Sequence, residues 1–534
     1  MPRETPAQIV NELASRGYNA DREAVTILAG ATDTETAIER ALEAVPEGAL
    51  KLSVDHARSA VETEARKSEP PAPSAPGEPT EPTSGSTGDS TPSISIGSDD
   101  PAPLEGGRSS PGETKGVSSD LNGTRDPVEP TITGDVTGRS TGTGEYSDFL
   151  SVFRDRYERL SRKLRGRVNH RPTNAVESMP GGSEAAIVGM VADIRSTASG
   201  HWLVELEDTN GTFPALVMKD RDIADLVEEL LFDEVIAIEG TLADDGGILF
   251  ADAIHFPDVP RTFEPSTADR EVSAALISDV HVGSQEFDAD AWRAFAEWLH
   301  TPEAERVEYL LLAGDMVEGV GVYPDQDEEL DVVDIYEQYE TFTEHLKDVP
   351  GDMEIVMIPG NHDAVRLAEP QPGFDEELRS IMSAHDATIT GNPSTVTVEG
   401  VDILMYHGVS LDEVIAELPE EKASYDDPHR AMGQLLKKRH VAPQFGGHTR
   451  IAPEERDYLI MEDVPDVFHT GHVHKLGYGT YHNVLTINSA CWQRQTSFQE
   501  SVNIDPDVGY APIVHLDKLD GSDASDFLTI RSFG

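Results

Sequence analysis

The chain has 534 residues, room for several domains and at least one large core, and carries 99 acidic against 41 basic side chains, a formal net charge of −58. That balance argues against a basic nucleic-acid-binding surface, since phosphate contacts come from Lys and Arg. The acid is spread along the whole sequence and reads as a hydrated surface suited to concentrated salt, with an acidic partner-binding surface as the alternative.

Residues 1–62 read as a small helical module. In "DTETAIERALEAVPEG", Asp33 or Thr34 is a possible N-cap, Ile38, Ala41, Leu42 and Val45 share one face, and Pro46 is the stop. "TPAQIVNELASRGYN" carries a similar stripe at Ile9, Val10 and Leu13, closed by Gly17. So short a module has little core of its own; a docking role and an independently folded bundle are both compatible with it. Residues 63–145 are dominated by Pro, Ser, Thr, Gly and acid, with too few apolar residues to offset chain entropy, and read as a disordered tether.

Residues 146–182 hold an amphipathic helix, "YSDFLSVFRDRYERLSRKLRGRV", and a connector. Phe149, Leu150, Phe153, Tyr157 and Leu160 form its packing stripe, and Arg162, Lys163, Arg165 and Arg167 make a basic cluster open to a phosphate role. Residues 183–258 contain five strand-like runs, with "DIADLVEELL" as a helix between the third and fourth. That order is the order of an OB-fold barrel. Trp202 and Phe213 with little positive charge nearby favour protein contact over single-stranded DNA.

Residues 259–534 alternate apolar strands with helices, the pattern of an α/β layered domain whose sheet is covered on both faces. Ligands in such sheets sit beyond the strand C-termini. Four runs end there in polar clusters: "LISDVHVGS", "LLAGDMVEG", "IPGNHDAVR" and "HTGHVHKLG". Asp279-x-His281 puts two side chains just past one strand, and Asp315 follows Gly314, whose missing side chain lets a ligand approach the backbone. Asn361, His362 and Asp363 follow Gly360, His407 ends "ILMYHG", and His472-x-His474 ends "FHTGHVH". Carboxylate, imidazole and amide oxygen together suit borderline divalent ions. There are enough ligands for two such ions if one carboxylate bridges, and Asp315 is the natural bridge. Singly, Asp279 has an ordinary reading as a turn residue, His407 as a core histidine and Asn361 as a loop cap; eight such readings in register are rejected. His440 in "KKRHVAP" is the alternative to His407, and His469 reads as buried or supporting.

D-x-H, G-D-x-x-E, G-N-H-D, H-G and G-H-x-H in this order resemble the calcineurin-like metallophosphoesterase superfamily. An OB-fold before such a domain resembles the small (B-type) subunits of replicative DNA polymerases. The words "GVGVYPDQDEELDVVDIYEQYE", "GNHDAVRLAEPQPG" and "KKRHVAPQFGGHTRIAP" resemble the small subunit of the archaeal D-family polymerase, over about residues 145–515. Where that family typically has Thr, this chain has Cys491, its single cysteine, which forbids an internal disulfide and fits a reducing compartment.

The resemblance implies a multidomain α/β protein: a helical module on a tether, an OB-fold β-barrel, then a calcineurin-like metallophosphoesterase α/β sandwich carrying a metal-dependent 3′–5′ proofreading exonuclease. Asp279, His281, Asp315 and His474 would hold one ion, and Asp315, Asn361, His407 and His472 the other. His362 would protonate the leaving alkoxide, oriented by Asp363, and Arg366 is a candidate DNA contact. The expected cofactors are two divalent ions, Mn²⁺ first, with Mg²⁺, Zn²⁺ or Fe²⁺ as alternatives. The expected partners are a large catalytic polymerase subunit and a DNA primer terminus. A scaffold subunit with vestigial nuclease and an independent phosphoesterase or repair nuclease are the competing functions. "FLTIRSFG", with Ile530 and Phe533, reads as a final strand, with a sliding-clamp peptide as the alternative. No apolar run has the length to span a bilayer and "MPRETPAQIV" lacks a signal-peptide core, so no membrane is expected and the location is cytoplasmic, beside the nucleoid, at high salt.

Overall fold

The computed structural model describes residues 6–31, 33–46, 51–67, 127–324, 326–383, 385–501 and 503–534. The N-terminal module comprises α1 (Pro6–Ser15), β1 (Asn19–Ala20), α2 (Arg22–Ala29), α3 (Thr34–Ala44), β2 (Lys51–Leu52) and α4 (Val54–Lys67), with β1 and β2 paired in parallel. Asp33 is the N-cap of α3, accepting from the Thr36 amide, which satisfies a donor the helix leaves free. Ile9, Leu13, Leu28, Ile38, Ala41 and Leu52 give the module its own core. It is also tied to the main body: Arg22 Nη1 donates to the Ala304 carbonyl at 2.7 Å and the Gly351 amide to that of Ala20 at 2.9 Å.

The tether expected over 63–145 needs correcting at its C-terminal end; most of the rest lies outside the described residues. β3 (Thr131–Thr133) pairs antiparallel with a sheet of the α/β body, and Asp135 caps the turn that follows by accepting from the Thr137 amide. One Ile between two Thr is too short an alternation to stand out from a Pro/Gly/Thr-rich sequence. α5 (Tyr146–Arg165) also departs from expectation: Val152, Arg156, Tyr157, Leu160 and Leu164 face inward, whereas Leu150 is 45% exposed. The inner face contains an arginine, so an apolar stripe alone mislocates it. Arg156, fully buried, forks onto Asp457 at 2.7 Å. Of the basic cluster, Lys163 donates to the Glu462 carbonyl and Arg167 to that of Phe256.

After α6 (Thr173–Val176) come β4 (Glu184–Ser196), β5 (Trp202–Asp208), β6 (Gly211–Val217), α7 (Ala224–Val227), β7 (Val235–Leu242) and β8 (Leu249–His255). The strands close a five-stranded barrel in the order β4-β5-β6-β8-β7, with the helix between the third and fourth strands. Phe213 is buried in the barrel core, so it is packing rather than a binding surface. The barrel is clamped to the α/β body through Glu229, which receives Lys422 at 2.6 Å and also Lys437.

The α/β body runs β9 (Ser273–Ile277), α8 (Ala289–Leu299), β10 (Val307–Ala313), α9 (Ile335–Leu346), β11 (Glu354–Ile358), α10 (Glu376–Ile381), β12 (Thr388–Ile389), β13 (Ser394–Val398), β14 (Val401–Met405), α11 (Ser410–Glu417), α12 (Pro428–Lys438), β15 (Val467–Thr470), β16 (Leu476–Tyr481), β17 (Val484–Ser489), α13 (Ser497–Ser501), β18 (Tyr510–His515), α14 (Ala524–Phe527) and β19 (Leu528–Ser532). These form two six-stranded mixed sheets rather than the one implied by the strand pattern, in orders β12-β11-β10-β9-β18-β19 and β16-β17-β15-β14-β13-β3. The alternation explains why. Leu276, Leu311 and Val356 meet Ile403, Met405 and Ile487 between the sheets, while Ile277, Leu310 and Met357 face α8 and α9. Leu404 and Phe468 face α11 and α12. A strand covered by helix on one side and sheet on the other is as uniformly apolar as one covered by helices on both. The C-terminal segment is the final strand β19, antiparallel to β18, with Phe533 packed on Phe295 and Trp298.

Candidate metal centre

Parallel strands β9, β10 and β11 of one sheet and β14, β15 of the other end at the same edge, and each is followed at once by polar residues. Asp279, His281, Asp315, His472 and His474 all have left-handed backbones, with φ of 54°, 56°, 55°, 72° and 54°. Each such turn costs free energy for a side chain with a Cβ and persists only where the surroundings hold it, which is why these conformations gather at functional sites. Two glycines let the turns close. Gly314 sits at φ +94°, and a Cβ there would meet the His407 ring and the Gly360 backbone; at Gly471 it would strike the Asp279 carboxylate.

Three groups of donor atoms converge within 4.8 Å of one another: Asp279, His281 and His474; His281, Asp315 and His362; Asp279, Asp315 and His407. Asp315 belongs to two of them, as a bridge would. Its Oδ2 lies 3.2 Å from His407 Nε2, and Asp279 Oδ1 lies 3.5 Å from His474 Nε2. Asn361 Oδ1 reaches the same His407 nitrogen at 2.9 Å. His472 stands beside His407, ring centroids 5.2 Å apart, but its Nε2 faces Asp412 Oδ2 at 3.0 Å instead of the centre. Asp412, on α11, escapes sequence reasoning because nothing distinguishes it from the other acids of that helix.

Burial decides the electrostatics. Asp279 and Asp315 are almost completely buried, with Glu318 beside them. Burial alone would raise the carboxyls, but hydrogen bonds from His281 and His474 hold Asp279 well below the ordinary range, and the charge of His407 does the same for Asp315. Burial works against protonated imidazoles, yet Asp315 pushes His407 up to about 10 and Glu318 raises His281. Buried carboxylates demand positive charge. No Lys or Arg lines this cavity of about 290 Å³ among the described residues, so imidazolium supplies it. A divalent cation does the same through the lone pairs those protons occupy, and the donor set therefore fits one.

His362 is fixed twice: its amide donates to Asp315 Oδ1 at 2.8 Å, and Nδ1–H donates to the Glu318 carbonyl at 2.7 Å. The expected orienting role of Asp363 is corrected by the geometry. Asp363 Oδ2 accepts from the Asp315 and Gly360 amides, both at 2.8 Å, and Oδ1 from the Tyr339 hydroxyl at 2.9 Å. It holds the backbone of the loops rather than the ring of His362. Arg366 is occupied internally, donating to the Ala368 and Pro370 carbonyls and pairing with Ser140 and Glu454. His440 lies away from the centre, donating to Asp457 at 2.9 Å, and His407 takes the place for which both are candidates. His469 is buried against Ser489, where desolvation lowers its pKa to about 3. Cys491 is buried with its thiol facing the Gln493 carbonyl and supplies no ligand.

Glu318 is a supporting residue that the sequence reading leaves unassigned, although G-D-x-x-E marks it. Its Oε2 lies 2.8 Å from His281 Nδ1 and accepts from Gln493 at 2.7 Å. Gln499 Nε2 donates in the same way to His474 Nδ1 at 3.0 Å, leaving each Nε2 turned to the centre.

Residues 274–476 match the family of the B-type subunit of DNA polymerases alpha and epsilon, which sets the class: an accessory subunit of a DNA polymerase rather than a free-standing phosphatase. Across almost its whole length the chain is similar to the DNA polymerase II small subunit of Halobacterium salinarum (strain ATCC 29341 / DSM 671 / R1), 66% identical over 529 residues, 97% of this chain and 99% of that one. It is also similar to the DNA polymerase II small subunit of Archaeoglobus fulgidus, 43% identical over 70% of this chain and 76% of the relative. The chain belongs to the family of small subunits of the archaeal DNA polymerase II, the D-family polymerase. Among solved structures it is similar to asparaginyl-tRNA synthetase from Pyrococcus horikoshii only over 16% of this chain and 22% of that one, at 14% identity and a TM-score of 0.15. No helix among the described residues is long and apolar enough to cross a membrane.

Proposed function

We propose that this small subunit is itself a metal-dependent 3′–5′ exonuclease that removes mismatched nucleotides from a primer terminus, working with a large catalytic subunit with which it assembles. In this reading the five-stranded barrel is an OB-fold and the two-sheet body a calcineurin-like metallophosphoesterase. The observation that carries it is the convergence of Asp279, His281, Asp315, His407 and His474, four of them on left-handed turns just past strand ends, around the shared carboxylate of Asp315. A purely architectural subunit has no use for buried carboxylates and strained turns at that edge.

Asp279, His281, Asp315 and His474 would hold one ion, and Asp315, Asn361 and His407 the other, with His472 joining it on release from Asp412. When bound, two such ions supply Lewis acidity toward the phosphodiester and the attacking water. The protein's own part is positional. Because His362 Nδ1–H is committed to the Glu318 carbonyl, Nε2 carries the transferable proton. It delivers that proton to the 3′ oxygen of the preceding nucleotide as the P–O bond breaks, releasing a nucleoside 5′-monophosphate.

The test is digestion of single-stranded and mismatched 3′ ends by the chain alone and with the large subunit, with Mn²⁺, Mg²⁺, Zn²⁺ or Fe²⁺ supplied in turn. Asp315→Asn should abolish hydrolysis, and His362→Ala should remove turnover while sparing metal content. Intact mismatched ends under every metal with both subunits present would overturn the reading.

A further inference from the structure

The rim of the cavity is aromatic. Tyr323, from the loop after β10, and Phe498, from α13, stack with centroids 4.9 Å apart and planes 22° from parallel. Tyr323 is held in place because its hydroxyl lies between Glu318 Oε1 at 3.1 Å and Glu329 Oε2 at 2.9 Å. Its ring centroid is 6.4 Å from that of His362. Phe498 is 43% exposed, and Tyr425, 42% exposed, lines the same cavity with its hydroxyl on Asp412 at 3.0 Å.

A phenylalanine left open to water on a braced tyrosine, beside a hydrolytic centre, forgoes the stabilisation of burial. The geometry points to a nucleobase subsite: the base of the terminal nucleotide stacks on Phe498, carried by Tyr323, with its phosphate toward Asp315 and His362. This rests on the exonuclease reading and adds what the site grips. The choice of a base follows from the chemistry of the cavity lining. With no Lys or Arg there among the described residues, it cannot hold a strand by side-chain phosphate contacts, which also weaken steeply as salt rises. Stacking needs no charge and accepts every base. A base in a duplex is already stacked and paired, so only an unpaired terminal base reaches the shelf without that cost. Preference for frayed or mismatched ends then follows from the shelf itself.

The experiment measures binding of a single-stranded oligodeoxynucleotide with 2-aminopurine as its 3′-terminal base, against the same strand ending in an abasic tetrahydrofuran residue, with Ca²⁺ as the divalent ion. The full chain should quench the 2-aminopurine and bind it about tenfold more tightly than the abasic strand, in line with what one base–aromatic stack contributes. Phe498→Ala and Tyr323→Leu should each erase that preference, and Phe498→Trp should keep it. Equal affinity for the two strands, or a preference that survives both Phe498→Ala and Tyr323→Leu, overturns the subsite. Parallel turnover with Mn²⁺ separates the two ideas. Stacking without cleavage keeps the shelf and sinks the exonuclease; cleavage indifferent to the terminal base does the reverse.

Discussion

Glu318 and His281 form a pair sealed from solvent: carboxylate Oε2 lies 2.8 Å from imidazole Nδ1, and both residues are about 1% exposed. His281 must therefore present Nε2 to the centre, and its lone pair is made more basic by the carboxylate behind it. Glu318→Ala should lower metal affinity or turnover by about 10- to 100-fold, and Glu318→Gln, which keeps an acceptor, by less. His362 leans on the main-chain carbonyl of Glu318, which survives both substitutions. A metal titration should thus move while the acid limb of the pH–rate profile stays in place; unchanged metal affinity in Glu318→Ala would remove the supporting role.

Asp363 binds backbone, and the consequence is a stability effect separable from catalysis. Burial and the neighbouring Asp315 push its pKa up to about 7, yet its two oxygens satisfy two loop amides and the Tyr339 hydroxyl. Asp363→Ala leaves those groups buried without an acceptor, at about 1–3 kcal/mol each. Three such groups set the expected loss in urea unfolding at about 3 kcal/mol or more for Ala. Asn should lose less, because its one oxygen can still serve the amides. Equal losses for the two variants would show that the amides find other partners.

How much of this is readable from the sequence follows from which signals are local. The ligands are legible because each sits within a few residues of the end of an apolar run, and the barrel because its strands alternate without interruption. Two sheets in place of one are not legible, since Leu276 and Ile277 are equally apolar whichever partner they meet. The same holds for α5, whose inward Arg156 looks like a surface residue until Asp457, 301 positions away, is brought against it. The motif puts His472 in the centre, while its contact with Asp412 depends on where α11 packs.

Arg156 and Asp457 make a fully buried ion pair, with His440 donating to the same carboxylate oxygen. Removing one partner of such a pair strands the other charge, at about 3–5 kcal/mol, whereas replacing both with apolar residues of similar volume is often neutral. Arg156→Met should lower the melting temperature sharply, and adding Asp457→Leu should recover much of the loss. A double variant no better than the single one would mean that α5 is held by Tyr157, Leu160 and Leu164 alone.

His385 supplies a pH dependence that lies outside the metal centre. Its Nε2–H donates to the Pro350 carbonyl at 3.1 Å, and burial, with Lys51 adding repulsion, lowers its pKa to about 4. The unfolded chain protonates this ring near about 6.5, so between those values the unfolded state holds the extra proton. Stability from the neutral ring is fully present above about pH 6.5 and is lost as pH falls toward 4, amounting to about 2.5 kcal/mol by pH 4.5. His385→Gln retains a donor for Pro350 but cannot titrate. The gap between wild type and this variant in urea unfolding should therefore narrow or reverse by that amount between neutral pH and about pH 4.5. A gap that stays constant with pH would mean that His385 is not held neutral by its surroundings.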